Sequence, residues 1–220
     1  MIAMHPGLAA TPEIDWTVSI TEWLAGLFMA PLPVDVVETY RGGLGAYLFD
    51  ALALEPRCRA GAGRMRAALT TEESAPAIAR RLSVAFTYLF DGVGGRNAVS
   101  PYESAYVGTS GRLFQKPTND MGLLLRQSNL SVPDAFREPA DHLSIELALL
   151  ARLMREDVDE HVQRRLLDDH LLTWAPRFAT ECFASDNTGF YAGASELLTS
   201  FLPELRGRLN HVSPAPECPP

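Results

Sequence analysis

The chain has 220 residues, of which 47% are hydrophobic and 21% charged, enough apolar material for a buried core and too much for a disordered chain. Its net charge is −8, from 27 acidic and 19 basic side chains, which excludes the basic footprint that nucleic-acid binding requires and suits a basic partner such as an arginine-bearing peptide. Three cysteines, Cys58, Cys182 and Cys218, have no CxxC spacing and argue against a disulfide framework or a cysteine zinc site, a pattern that fits the cytosol.

The N-terminal segment MIAMHPGLAATPEIDW carries no Lys or Arg and no apolar run of signal-peptide length, and Pro6, Gly7 and Pro12 predict a flexible terminus over 1–12. From there to residue 210 the pattern is helical. Trp16, Ile20, Trp23, Leu24, Leu27 and Phe28 recur at spacings of three and four, and the Ala30-Pro-Leu-Pro33 segment ends that helix. A second helix is predicted from about Val34 to Leu54, loosened near Gly42, Gly43 and Gly45. Arg57 to Ala68 is ambiguous. A strong helix follows from Pro76 to Phe90, with Ile78, Leu82, Ala85, Phe86, Leu89 and Phe90 as its apolar stripe.

Asp91-Gly-Val-Gly-Gly-Arg96 breaks that helix. It resembles a phosphate-cradling loop only superficially, since neither a preceding strand nor a Gly-Lys-Ser/Thr ending is present. Residues 97–117 read as loop-rich, and a helix over 118–130 takes Thr118 as its N-cap. Ser131–Arg137 is a connector containing Pro133. The clearest helix opens at Glu138, with Pro139 in its first turn, and runs to Asp157 with Leu143, Leu147, Leu150 and Met154 on one stripe. Two further helices are expected over 159–172 and 174–184. A last one spans 187–208, capped by Asp186 or Asn187. Residues 211–220 form a proline-rich tail read as disordered. No period-2 strand run and no segment near 20 uncharged apolar residues occurs, so the expected fold is all-α, a single globular multi-helix domain, with no membrane insertion.

Catalytic constellations are sparse. There is no GxSxG, and no cysteine has a catalytic context. His142 and Glu146 lie four apart, so on one helix they share a face. With His161 or His170 they define an alternative reading as a metal-dependent helical hydrolase, although a second histidine on that helix, as in HExxH, is missing. The arginine pairs Arg80-Arg81 and Arg164-Arg165 sit inside amphipathic helices and read as solvated faces. A third reading is a helical adaptor without a peptide groove, in which Asp141 and His142 only cap a helix.

Several segments, in order, resemble one family. Glu138-Pro-Ala-Asp-His-Leu-Ser-Ile-Glu-Leu147 resembles the E-P-x-D-H signature of the TorD/DmsD redox-enzyme maturation chaperones, closer to its TorD branch. Upstream, Leu89-Phe90 and Pro101-Tyr-Glu-Ser104-Ala-Tyr106 resemble that family's Leu-Phe and Pro-aromatic-x-Ser-x-aromatic segments, with Tyr102 and Tyr106 where some members carry Trp. Downstream, Trp174 to Phe178 and Phe190-Tyr191 resemble its remaining motifs. The resemblance spans residues 75–205. It implies a cytoplasmic, all-helical, non-enzymatic chaperone, monomeric or a domain-swapped homodimer with the glycine break at 91–96 as hinge. It implies no resident cofactor, with GTP binding suggested for some members. The implied partner is the precursor of a molybdopterin-containing oxidoreductase, held through its twin-arginine signal peptide before Tat export. Carried over by position, the peptide site comprises Phe86, Leu89, Phe90, Pro101, Tyr102, Ser104, Tyr106, Glu138, Pro139, Asp141 and His142. In that site a carboxylate of Glu138 or Asp141 would receive arginine and the aromatics would line an apolar groove.

Overall fold

The computed structural model of the chain describes residues 16–107, 113–128, 130, 138–156 and 158–209, with Leu44 described by its backbone alone. The predicted segments 1–12, 131–137 and 211–220 lie outside these residues. The helices are α1 (Trp16–Leu27), α2 (Val34–Arg41), α3 (Gly43–Leu54), α4 (Arg59–Leu69), α5 (Ala75–Phe90), α6 (Lys116–Gln127), α7 (Leu143–Arg155), α8 (Glu160–Arg165), α9 (Leu172–Ser185) and α10 (Phe190–Arg208). Among the described residues there is no strand, only an isolated antiparallel bridge between Tyr102 and His142. No described helix is long and apolar enough to cross a membrane.

The expected helix over 34–54 is two helices. Gly42 adopts an extended backbone, and its amide closes α2 onto the carbonyls of Glu38 and Thr39. The ambiguous stretch after Arg57 is α4, whose glycines weaken its helical signal. Gly61 serves packing instead: a Cβ there would lie 2.7 Å from the carbonyl oxygen of Gly193 on α10, so these two backbones cross in direct contact.

Three helix starts differ from expectation. α6 begins at Lys116 with Pro117 in its first turn, so Thr118 lies inside the helix and is not its cap. α7 begins at Leu143 rather than Glu138. Pro139 belongs to the preceding turn, where its carbonyl accepts the His142 amide at 3.1 Å. α10 begins at Phe190 because Gly189 takes a left-handed backbone (φ 78°) that ends the preceding turn. Asp186 still caps this junction, its side chain accepting from the amides of Thr188 and Ala192.

The expected pair of helices over 159–184 is continuous through a π-helical turn, Leu166–Leu171, ahead of the helix-interior Pro176. The widened turn contains His170, which it brings against Glu103 from the loop after α5.

The layers pack around α7, which rests on α1 and buries Leu143, Ile145, Leu147, Leu149, Leu150 and Leu153, nearly its whole circumference. α10 lies on α4 and α9, and α2 on α5. Where these meet, the Phe28 and Phe178 rings are 5.4 Å apart edge-on, Phe90 stacks on Phe178 at 6.0 Å, and Tyr191 meets Phe90 at 5.4 Å. Such pairs contribute about 1 kcal/mol each beyond area burial. One hydrophobic cluster runs from Ile20 to Leu205, joining both sides of the glycine break.

Candidate functional site

The loop after α5 and the turn before α7 are held together by the Tyr102–His142 bridge. The Glu103 amide donates to the Asp141 carbonyl (3.0 Å), and the Leu143 amide donates to the Pro101 carbonyl (2.9 Å). Asp141 is fully buried at this junction. Its Oδ2 accepts from the Ser104 amide at 2.9 Å and from the Ser104 hydroxyl, and its Oδ1 accepts from the Thr118 hydroxyl at 2.7 Å. Asp141 therefore fastens loop, turn and α6 at one point, with both oxygens engaged. Glu138, by contrast, is exposed, and the Tyr102 hydroxyl donates to its Oε2.

His142 is the N-cap of α7. Its backbone is extended, and its Nδ1 accepts from the Ser144 amide at 3.1 Å, satisfying one of the helix's orphan donors. This bond requires a lone pair on Nδ1. Burial agrees with it, holding the imidazole pKa down to about 4 against the partial opposition of Glu138 and Asp141. The Tyr102 ring meets the imidazole edge-on at 5.1 Å. Burial and the neighbouring Glu138 push the Tyr102 hydroxyl well above its usual range, so it keeps the proton it donates.

Beneath this junction lies a polar network that the sequence reading did not anticipate. Glu146 is fully buried, and its Oε2 accepts from the Trp174 indole at 3.2 Å. Burial, with Glu103 as neighbouring acid, raises its pKa well above the ordinary carboxyl value, so Glu146 keeps its proton. Glu103 in turn is 2.7 Å from His170 Nδ1. Nothing in the sequence marked Glu103, since an acidic residue in a loop reads as solvated.

The groups of the hydrolase alternative thus stand in separate bonds: His142 with Ser144, Glu146 with Trp174, and His170 with Glu103. His161 is exposed on α8. Among the described residues no three His, Cys, Asp or Glu side chains are grouped to hold a metal ion.

An open groove of ≈ 540 Å³ runs beside the junction. Leu89, Phe90, Pro101, Tyr102 and Leu113 line it, with Asp91 and Glu138 as its acidic groups. Of the residues predicted for a peptide site, Leu89, Phe90, Pro101, Tyr102 and Glu138 come together here. Phe86 does not: its ring is buried against Phe90 (5.1 Å) and Tyr191 (5.8 Å). Tyr106 stacks on Trp174 at 5.3 Å and donates to Glu181 at 3.0 Å. Ser104, Asp141 and His142 are buried in the junction, and Pro139 is half-buried beside it. Asp91 and Leu113 are groove residues that sequence reasoning missed. A larger hollow of ≈ 870 Å³ along α5 is lined by Glu73, Arg80, Arg81 and Asp186, with Arg81 paired to Glu73 at 2.8 Å.

Comparison with known proteins places the chain. The family model described as nitrate reductase delta subunit matches residues 53–180. The TorD chaperone proteins of Photobacterium profundum and Vibrio atlanticus are each 31% identical over 199 residues, covering 86% of this chain and 89% of theirs. That of Ferrimonas balearica is 33% identical over 186 residues, covering 82% and 83%. A crystal structure of a candidate redox enzyme maturation protein from Archaeoglobus fulgidus covers 92% of this chain and 98% of its own, at 17% identity and a TM-score of 0.49.

Proposed function

The chain belongs to the TorD family of chaperones, and we propose that it acts in the cytoplasm on the precursor of a molybdopterin-dependent reductase, binding its twin-arginine signal peptide in the groove beside Glu138. Binding there withholds the precursor from Tat export while its cofactor is inserted. The chain performs no reaction of its own, in keeping with relatives named as chaperones.

The observation that carries this reading is the composition of the groove: an apolar floor of Leu89, Phe90 and Pro101 beside the carboxyl groups of Asp91 and Glu138. A twin-arginine signal peptide presents the complementary arrangement, a pair of guanidinium groups followed by an apolar segment. Arginine forms bidentate charge-assisted bonds to a carboxylate, where lysine offers a point charge. Tyr102 already donates to Glu138, so an arginine entering the groove competes with that hydroxyl and frees the Tyr102 ring edge toward the peptide.

The test is calorimetric titration with twin-arginine peptides from molybdoenzymes of the same genome. One peptide is expected to bind, at least ~10-fold more weakly when both arginines become lysine and when Glu138→Gln is introduced, with the thermal midpoint unchanged. Failure of every such peptide to bind the wild-type chain would exclude this reading.

A further inference from the structure

Phe114 precedes α6 and has a left-handed backbone, φ 58°, the sole non-glycine with positive φ among the described residues. That conformation crowds Cβ against the backbone and is ordinarily left to Gly, Asn or Asp; a bulky residue held there marks a constraint with a use. The ring has no burial to offset it, since Phe114 is 73% exposed. Its neighbour Leu113 is also exposed, at 38%, and lines the groove with Leu89, Phe90 and Tyr102. The strained conformation therefore leaves an aromatic side chain in solvent, next in the chain to a residue that lines the apolar groove.

We propose that Phe114 is an aromatic anchor of the peptide site, covered by the apolar segment that follows the arginines of the bound peptide. This rests on the proposed signal-peptide function and assigns the second half of its recognition. The carboxyl groups of Asp91 and Glu138 fix the occupant as cationic at one end, and the apolar lining from Phe90 to Leu113 requires that its continuation be hydrophobic. A water-exposed aromatic that becomes covered on binding is the kind of residue on which interface energy concentrates. The α6 that follows it is in turn fastened to the groove loop by Thr118, Asp141 and Ser104, so the start of that helix is fixed relative to the floor.

The experiment titrates the full-length protein and its Phe114→Ser, Phe114→Gly and Phe114→Trp variants with the peptide that binds wild type. A second peptide keeps its arginines and has the leucines of its apolar segment changed to serine. For the intact peptide, Phe114→Ser and Phe114→Gly are expected to weaken binding about 10-fold or more, while Phe114→Trp retains it and shows a blue-shifted emission on binding. For the serine-substituted peptide, wild type and Phe114→Ser are expected to bind alike. Phe114→Gly, which suits the left-handed backbone, reports that lost affinity does not come from misfolding if its thermal midpoint is equal to or above that of wild type. Equal affinity of wild type and Phe114→Ser for the intact peptide, or equal losses on both peptides, would overturn the anchor while leaving the signal-peptide function standing. No binding to wild type would overturn both.

Discussion

Asp141 and Ser104 are 37 residues apart in the chain and joined twice, the Ser104 amide and hydroxyl both donating to Asp141 Oδ2. The first bond is to a backbone group that would otherwise be a buried orphan, and the second aligns the hydroxyl that also meets Thr118 at 3.1 Å. The pair decides the position of Tyr102, and with it one wall of the groove, without touching anything that enters the groove.

Asp141→Ala is therefore expected to destabilise the protein by about 3 kcal/mol, because the Ser104 amide and two hydroxyls lose their acceptor inside the fold. Asp141→Asn keeps one carbonyl oxygen for Ser104 and lets Thr118 accept from its amide, and costs about 1 kcal/mol. Urea unfolding separates the two. Peptide affinity should follow the stability order, in contrast to Glu138→Gln, where affinity falls and stability does not.

His142 gives the protein an acid-sensitive limb. Its folded pKa of about 4 lies below the unfolded value near 6.5, so between these values the unfolded chain takes up a proton that the folded chain refuses. Stability is unaffected above about pH 6.5 and falls as pH drops toward 4. From pH 7 to pH 5 the loss from this group is about 2 kcal/mol. His142→Asn retains a side-chain oxygen for the Ser144 amide and should keep the cap while removing this loss. Urea midpoints of the two proteins at pH 7 and pH 5 give the difference, and equal acid losses would contradict the assignment.

Glu146 has the opposite sign. Its folded pKa is raised, so above about pH 4.5 the unfolded chain releases a proton that the folded chain retains, and stability declines as pH rises until the folded pKa is reached. Glu146→Gln preserves an acceptor for Trp174 without titrating. It should gain on wild type progressively as pH rises across that window. Glu146→Ala leaves the indole N–H of Trp174 unpaired and should destabilise at every pH. Thermal midpoints measured from pH 5 to pH 8 show both.

Gly193→Ala tests the close crossing of α4 and α10. The added Cβ would sit 2.6 Å from the Gly61 carbonyl oxygen and 2.8 Å from Met65 Cγ, so the helices must part. A loss of about 2 kcal/mol is expected despite alanine's better helix propensity, whereas Gly207→Ala, with nothing within 4 Å, should be neutral or stabilising. Differential scanning calorimetry of the two variants distinguishes crossing from propensity.

The sequence by itself determined the helical class, the position of most helices and the family, because periodicity of three and four, proline breaks and ordered short motifs are local properties of the chain. Leu89, Phe90, Pro101, Tyr102 and Glu138 were also recognisable as neighbours by motif. What only the tertiary structure decided was which predicted polar groups face solvent. Glu138 and Asp141 look equivalent in a five-residue motif, yet one is exposed on the groove and the other is buried under three hydrogen bonds whose donors come from the loop after α5 and from α6. Phe86 and Phe90 share a stripe and both pack on Tyr191, yet Phe90 borders the groove and Phe86 does not. Glu103 and Glu146 meet only because α7 is buried nearly all round and the π turn presents His170 to the same spot. Burial and partners are fixed by contacts between segments distant in sequence, and these set both the accessibility of a carboxyl group and whether it holds its proton.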